Sequence, residues 1–199
     1  LPQQIFFIGR LEYKNSVCIA HMVLKRKDYI RLIEYGILYF KFAHAIFPEN
    51  SDKKNKLKYL DIFTWGKHAA SYNDLKLSSE EEVLGFSLLE HTAIYILVMQ
   101  IDTAFESLFL NRFQHKNREI KNIAYVSRIL RNSFAHNPFA PIWLIDRKMK
   151  NKKFLIRGIL TLDTNNLSGK GVSRWDYGGP LALLKLAKRS IKLISSSDK

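Results

Sequence analysis

Three residues near position 130 have side chains suited to acid–base chemistry at a phosphate group. Arg131, Asn132 and His136 lie within the stretch "RILRNSFAHNPFAPIW", which covers residues 128–143. Histidine exchanges a proton near neutral pH, and the planar guanidinium of arginine binds phosphate oxygens through two parallel hydrogen bonds. The Asn137-Pro138 pair disfavours a continued helix, so we expect His136 to lie at a helix end. The pattern predicts a phosphate-directed site at that end.

The helix that carries this motif is predicted over residues 118–136. Its apolar positions gather on one side when the helix is projected at 100° per residue, and these are Ile123, Val126, Leu130 and Phe134. A narrow polar stripe on the opposite side consists of Arg118, Lys121, Tyr125, Arg128, Asn132 and His136. The stripe lacks carboxylates, which favours an anion-binding surface, although a solvated cationic face is the alternative. Arg131 lies about 140° around the helix from His136, so only its long side chain or a distorted helix end would bring it to the same phosphate.

The whole chain is strongly basic. Its 199 residues include 32 Lys and Arg against 18 Asp and Glu, giving a net charge of +14 at pH 7. Such an excess attracts polyanions such as RNA and DNA, although a basic protein without a nucleic-acid partner is the alternative. The single cysteine, Cys18, excludes an intramolecular disulfide and favours a cytoplasmic location. The cysteine and the six histidines have no zinc-type spacing, so we expect no metal and no other cofactor.

Apolar periodicity predicts the elements that position the motif. Residues 17–47 have the spacing of one long helix or two abutting helices, and residues 57–77 are weakly patterned, which indicates a short helix and a loop. The "SSEEEV" segment predicts a helix start capped by Ser79, and the helix over about 80–113 is the most apolar in the chain. Charged residues interrupt its apolar run, which favours a buried helix over a membrane span.

The residue composition changes after Pro138, from helix-forming to strand-forming. Residues 142–148 and 153–164 are rich in β-branched and aromatic residues and predict a β-hairpin, followed by a closing helix over 180–194. The basic tip of that hairpin, residues 147–153, carries Arg147, Lys148, Lys150, Lys152 and Lys153. This tip would clamp an RNA backbone, or it would simply be an exposed turn. We therefore expect a mainly α protein with one domain over 1–199, in which a helical core of about 17–137 precedes the hairpin and closing helix of 142–194.

The segment "RNSFAH" resembles the R-x4–6-H motif of HEPN domains (higher eukaryotes and prokaryotes nucleotide-binding). The polar residue that often follows the motif arginine is present as Asn132, and the segment follows a long apolar helix. The resemblance covers roughly residues 17–137 and implies a HEPN-like helical bundle. It also implies a metal-independent endoribonuclease, in which Arg131 and His136 form the catalytic pair with Asn132 in support. A homodimer with a composite site, and a carboxylate from an earlier helix near the motif, are implied as well.

The residue types agree with metal-free RNA cleavage by 2′-hydroxyl attack. That reaction needs a base, a cation at the phosphoryl oxygens and a proton donor for the leaving 5′-oxygen. His136 would exchange the protons and Arg131 would supply the cation, while Lys121 and Arg128 would guide the strand and Tyr125 would stack on a base. The supporting carboxylate is Glu90, Asp102 or Glu106, and the sequence does not choose among them.

Two functions from different classes are consistent with these observations. The first is an RNA-cleaving toxin or defence effector that works as a cytoplasmic homodimer, with an antitoxin or a regulatory protein as a further partner. The second is a non-catalytic HEPN-type module that binds nucleic acid, a nucleotide or a protein. The complete Arg131, Asn132 and His136 set favours the enzyme.

Overall fold

The computed structural model describes residues 24–46, 62–71 and 77–197. Four α-helices form most of this part of the chain, which confirms the mainly α prediction. They are α1 (Arg26–Ile46), α2 (Ser79–Leu108), α3 (Arg118–Ala135) and α4 (Gly179–Ser196). Two antiparallel hairpins pair β1 (Ile62–Trp65) with β2 (His68–Ser71), and β3 (Lys153–Ile156) with β4 (Leu160–Asp163). Short 3₁₀ helices lie at Arg112–Gln114, Arg147–Met149 and Arg174–Tyr177.

Helix α2 begins at a capping box one residue earlier than predicted. The Ser78 hydroxyl accepts from the amide of Glu81 at 3.2 Å, and the Glu81 carboxylate accepts from the amide of Ser78 at 2.7 Å. The helix ends at Leu108 rather than near 113, because Asn111 adopts a left-handed conformation (φ 53°) and residues 112–114 form a separate 3₁₀ turn. This turn carries Arg112 back against the end of α2.

The other helices pack on α2 and bury a common core. Helix α1 approaches α2 closely at Gly36, where an added Cβ would lie 3.1 Å from Cδ1 of Leu97, so a larger residue would push the helices apart. Helix α3 runs antiparallel to α2, since Arg128 contacts Glu106 at one end and Phe134 contacts His91 at the other. Helix α4 closes the bundle against α1, α2 and α3. The apolar faces of all four helices meet in one buried cluster.

Helix α2 is also the one helix among the described residues that is long and apolar enough to cross a membrane, by length and composition alone. Core helices of soluble proteins meet the same criterion. In this fold α2 contacts three other helices, and its Glu90 and Asp102 side chains are buried against arginines.

The predicted hairpin before the closing helix is present, although its strands differ from the predicted ones, and the β1–β2 hairpin was not predicted. The first, β1–β2, lies within the block predicted as helix and loop, so the 17–137 segment is not all helical. The second pairs Lys153 with Asp163 through Ile156 with Leu160, and its turn contains Gly158 at φ 72°. Residues 142–148 do not form the predicted first strand, because Ile142 makes only an isolated bridge to Gly171. The basic segment 147–153 is therefore a 3₁₀ turn and an entry to β3 rather than a hairpin tip.

The missing strand has a physical explanation. Trp143, Ile145 and Met149 are buried, while Leu144 and Asp146 are exposed, which reproduces the alternation of a half-buried strand. The main-chain amides nevertheless form hydrogen bonds outside any strand ladder. The amide of Leu144 donates to the hydroxyl of Ser133, and the amide of Trp143 donates to the carbonyl of Lys170. Alternating burial requires only an extended chain, whereas a strand also requires a continuous hydrogen-bonded neighbour.

Helix α4 is joined to α3 by an ion pair whose effect on stability should depend on pH. Nε and Nη2 of Arg189 donate to the two carboxylate oxygens of Glu119 at 2.7 and 2.6 Å. These hydrogen bonds lower the pKa of Glu119 below its ordinary value. A carboxyl whose pKa is lower in the folded protein contributes stability above its unfolded pKa, and that contribution is lost as the pH falls through the folded pKa.

Replacing Glu119 by glutamine is therefore expected to lower the free energy of unfolding by about 1 kcal/mol or less at pH 7, the range of partly exposed pairs. The deficit relative to the wild type should shrink as the pH falls below 4.5, the ordinary carboxyl value. Urea unfolding at a series of pH values measures both effects. The exposed Glu34 of α1 provides the matched control, Glu34→Gln. A deficit that stays constant down to pH 3 would contradict the role assigned to the pair.

Candidate active site

The centre of the candidate site is a buried carboxylate on α2. Asp102 lies on the face of α2 that packs against α3, and its side chain has no exposed surface. Three arginines surround it. Nη1 of Arg112 lies 2.9 Å from Oδ1, Nε of Arg128 lies 3.2 Å from Oδ2, and Nη1 of Arg131 donates to Oδ2 at 3.1 Å. The structure thus places Asp102, of the three carboxylates considered, at the motif arginine.

Glu106, one turn further along α2, completes this group of ionic residues. Its Oε1 accepts from Nη2 of Arg128 at 2.9 Å and from Nη2 of Arg112 at 3.2 Å. Unlike Asp102, its side chain is mostly exposed. We call Asp102, Glu106, Arg112, Arg128 and Arg131 the arginine–aspartate cluster. Three guanidinium groups and two carboxylates leave the cluster with one net positive charge.

Burial and charge oppose each other at the centre of the cluster. Burial raises the pKa of the Asp102 carboxyl, while the guanidinium groups of Arg112, Arg128 and Arg131 oppose that rise by favouring the charged form. Burial likewise lowers the pKa of Arg112, against the attraction of Asp102. Arginine nevertheless stays charged in proteins, so Arg112 keeps a positive charge beside the carboxylate. Sequence reasoning missed Arg112, which falls inside the helix predicted over 80–113.

The motif occupies the C-terminal turns of α3, where the chain leaves the helix. The amides of Phe139 and Ala140 donate to the side-chain oxygen of Asn137, which turns the chain away immediately after His136. His136 is the residue at the helix end and is exposed, whereas Asn132 is half-buried. Within residues 24–46, 62–71 and 77–197, neither side chain makes a hydrogen bond or ion pair with the protein. Both are thus available to a bound molecule.

Arg131 connects the cluster to this helix end. Its side chain is 34% exposed and contacts Asp102 through Nη1 alone. Its Nε is buried and has no hydrogen-bond partner in the described part of the chain. Nη2 makes no contact with Asp102, so it can meet a phosphate without breaking the contact of Nη1. Arg128 differs, because it is only 22% exposed and contacts both carboxylates of the cluster. Its predicted contact with RNA would compete with those ion pairs.

Part of the predicted RNA-binding set lies around one basic cavity near the other end of α3. The cavity has a volume of about 430 Å³. Its lining includes His115, Lys116, Arg118, Lys121, Asn122, Tyr125, Lys152, Lys153 and Phe154. The predicted residues Arg147, Lys148 and Lys150 are exposed but are not part of this lining. The 3.6-residue periodicity identified Lys121 and Tyr125, whereas the fold alone brought Lys152 and Lys153 beside them.

Tyr125 is less available for stacking than predicted. Its ring packs between Phe113 and Phe154, with centroids 4.9 and 5.0 Å apart, and its hydroxyl donates to the carbonyl of Phe113 at 3.4 Å. The ring is half-buried and forms part of the cavity wall. Along the helix axis it lies about 16 Å from His136, at 1.5 Å per residue. The basic cavity and the motif are thus separate regions of one helix.

Glu90, the third candidate carboxylate, lies elsewhere on α2. It is about 18 Å along the helix axis from Asp102, at 1.5 Å per residue. Its buried side chain accepts from Nη2 of Arg174 at 3.2 Å, and its Oε1 lies 3.8 Å from Nε2 of His44. Glu90 therefore belongs to a second cavity, which is formed with residues 172–177.

We also looked for groups of metal ligands and for similar proteins. In the described ranges, no group of three or more His, Cys, Asp or Glu residues is arranged to hold a metal ion. Comparison of the chain with protein-family models, with curated proteins and with solved structures finds no match.

Proposed function

We propose that the protein is a metal-independent endoribonuclease whose site consists of Arg131, Asn132 and His136. The observation that carries this proposal is the contact between Asp102 and Arg131. A buried carboxylate on a core helix holds the motif arginine, while the exposed histidine ends the same helix. Such an arrangement orients the Arg131 guanidinium at the helix end that also carries a group able to transfer protons.

The proposed reaction is attack of the ribose 2′-oxygen on the adjacent phosphorus. His136 removes the proton of the 2′-hydroxyl as the new phosphorus–oxygen bond forms. The bond from phosphorus to the 5′-oxygen then breaks, and the leaving oxygen takes a proton from a second donor. Arg131 binds the phosphoryl oxygens, on which negative charge increases, and Asn132 hydrogen-bonds the phosphate or orients the imidazole. The products are a 2′,3′-cyclic phosphate and a 5′-hydroxyl.

A homodimer would supply the second proton donor. Each motif contains one histidine, so two copies of the α3 end facing each other would provide a base and an acid. Exposed apolar side chains follow the motif directly, namely Phe139, Ile142 and Leu144, and they offer contact area beside the helix end. In this proposal the enzyme acts in the cytoplasm as a toxin or defence effector, with an antitoxin or regulatory protein as a further partner.

The alternative is a binding module without catalysis, and the basic cavity favours it. That cavity concentrates five lysine and arginine side chains far along α3 from His136. A strand held only there would not place a phosphate at the motif. Tight RNA binding without any cleavage would identify this second function.

Incubation of the purified protein with tRNA and with mixed cellular RNA in excess EDTA tests the proposal. We expect cleavage at the rate seen without chelator, because the proposed base, cation and donor are all side chains. The products should carry 2′,3′-cyclic phosphate and 5′-hydroxyl ends, which end-labelling before and after phosphatase treatment distinguishes. Strict dependence on magnesium, or 5′-phosphate ends, would contradict the proposed mechanism.

A further inference from the structure

A second cavity lies beside the end of α3 that carries the motif. It has a volume of about 320 Å³ and lies between α2 and the Arg174–Tyr177 turn. Its lining includes Glu90, His91, Ile94, Phe134, Val172, Ser173, Arg174, Trp175 and Tyr177. Phe134 is a residue of the motif helix, and its ring packs edge-on against His91 at 5.9 Å. The cavity therefore lies beside the half of α3 that carries the motif, on its buried face.

Its polar wall has buried hydrogen-bonding capacity that the protein does not fill. Nδ1 of His91 is buried and has no hydrogen-bond partner within the described ranges. A buried polar atom without a partner costs about 1–3 kcal/mol, so it is rarely left so without a reason. The Glu90 carboxylate is 5% exposed and held by Arg174. A bound molecule with both donors and acceptors would complement this wall.

Another part of the lining presents an aromatic ring to solvent on a turn held by hydrogen bonds. Trp175 is 80% exposed, although tryptophan is usually well buried. The turn that carries it is fixed, because the amide of Trp175 donates to the hydroxyl of Ser173, and the amide of Ser173 donates to Oδ2 of Asp176. The same oxygen of Asp176 accepts from Nε1 of the buried Trp143 at 2.7 Å. Trp175 is thus an ordered, exposed stacking surface at the rim of the cavity.

We propose that this cavity is a nucleobase subsite, in which an unpaired base stacks on Trp175 and its polar edge bonds to the wall formed by Glu90 and His91. A flat ring with N–H donors and nitrogen or oxygen acceptors is the chemistry that such a cavity accepts. Its volume admits one base with part of its ribose. Guanine offers two adjacent N–H donors to a carboxylate, so it should bind most tightly of the four bases.

The subsite deepens the proposed function and rests on it, because it names the RNA feature recognised on the same strand as the cleaved phosphate. Arg131 lies one helical turn from Phe134. Glu90 lies about 18 Å along α2 from Asp102, so a base bound in the cavity belongs to another nucleotide of the strand whose phosphate Arg131 would hold. Single-stranded RNA can extend a base into such a cavity, whereas a base inside a duplex cannot reach it.

Tryptophan fluorescence tests the subsite without requiring cleavage. The full chain is titrated with each of the four nucleoside 5′-monophosphates and with a strand of 2′-deoxynucleotides, which lacks the attacking hydroxyl. We expect saturable quenching that is strongest with the guanine nucleotide. Trp175→Ala should abolish the saturable quenching and weaken binding of the strand roughly 5- to 150-fold, the loss of about 1–3 kcal/mol of stacking energy. His91→Ala should weaken binding while leaving the emission of Trp175 in place.

Leu110→Ala provides the matched control, because Leu110 is 88% exposed and lies at the far end of α2. It should bind nucleotides like the wild type. Equal binding by wild type and Trp175→Ala, in a chain that cleaves RNA, would overturn the subsite and leave the proposed function intact. Binding through Trp175 in a chain that cleaves no RNA would keep the subsite and overturn the proposed function. A lack of quenching by all five probes would also reject the subsite.

Discussion

Replacing His136 by alanine is expected to reduce the rate of RNA cleavage by about 10²- to 10⁴-fold, the usual contribution of a general acid or base. Its imidazole is the proposed proton-transfer group of the motif, and no other histidine belongs to that motif. The side chain is exposed, and in the part of the chain that the structure describes it makes no hydrogen bond that the change would remove. Single-turnover cleavage of a labelled RNA measures the effect.

Two further measurements separate catalysis from folding and binding. The His136→Ala chain should unfold at the temperature of the wild type, and it should bind the 2′-deoxy strand with unchanged affinity. Cleavage at the wild-type rate would end the catalytic interpretation of the motif. A loss of strand binding equal to the loss of rate would instead make His136 a binding residue.

The same variant distinguishes a shared site from an independent one. In the proposed homodimer, excess His136→Ala chains mixed with wild type under exchange conditions should reduce activity below the wild-type fraction. That result is expected because mixed dimers would hold one histidine instead of a base and an acid. Activity that follows the wild-type fraction linearly would show that each chain acts alone.

Replacing Asp102 by asparagine is expected to lower the free energy of unfolding by about 3–5 kcal/mol, the usual result of removing one partner from a buried ionic group. Asparagine has nearly the same shape, so the change removes the charge and leaves the volume. Arg112 and Arg128 would then keep only Glu106, which is 57% exposed, and Arg131 would lose its carboxylate partner. In a chain of this size the melting temperature should fall by about 6–20 °C.

The matched control for this variant is Glu106→Gln. Glu106 contacts two of the same arginines but lies in solvent, where an ion pair contributes at most about 1 kcal/mol. In thermal and urea unfolding, the loss of unfolding free energy should therefore be several-fold larger for Asp102→Asn than for Glu106→Gln. Equal unfolding of Asp102→Asn and wild type would contradict the structural importance of the cluster. At a temperature where both chains are folded, Asp102→Asn should also cleave RNA more slowly, because Arg131 loses the contact that orients it.

The helices of this protein could be predicted from the sequence because their limits depend on local chemistry. Serine and glutamate at 78–82 satisfy the first amides of α2, Asn137 and Pro138 stop α3, and Pro180 suits the first turn of α4. The predicted limits 118–136 and 180–194 agree with α3 and α4 within two residues. Capping and proline geometry involve residues a few positions apart, so they can be recognised without knowing the rest of the fold.

A hairpin before α4 was predicted, but its strand limits and the β1–β2 hairpin could not be predicted in the same way. Residues 142–148 alternate between buried and exposed. Their amides nevertheless bond to the Ser133 hydroxyl and the Lys170 carbonyl, not to a neighbouring strand. Residues 62–71 form β1 and β2, which weak patterning did not indicate. Strand pairing depends on which segments meet in space, and that information is not contained in the alternation of one segment.

The sequence alone determined that Arg131, Asn132 and His136 lie at the end of a helix, because a proline stops that helix. It did not determine which of Glu90, Asp102 and Glu106 meets the motif. The antiparallel packing of α2 on α3 placed Asp102 3.1 Å from Arg131 and Glu90 against Arg174 instead. An ion pair between two helices depends on how far one helix is shifted along the other. That shift is set by the packing of the whole core, so only the tertiary structure could decide it.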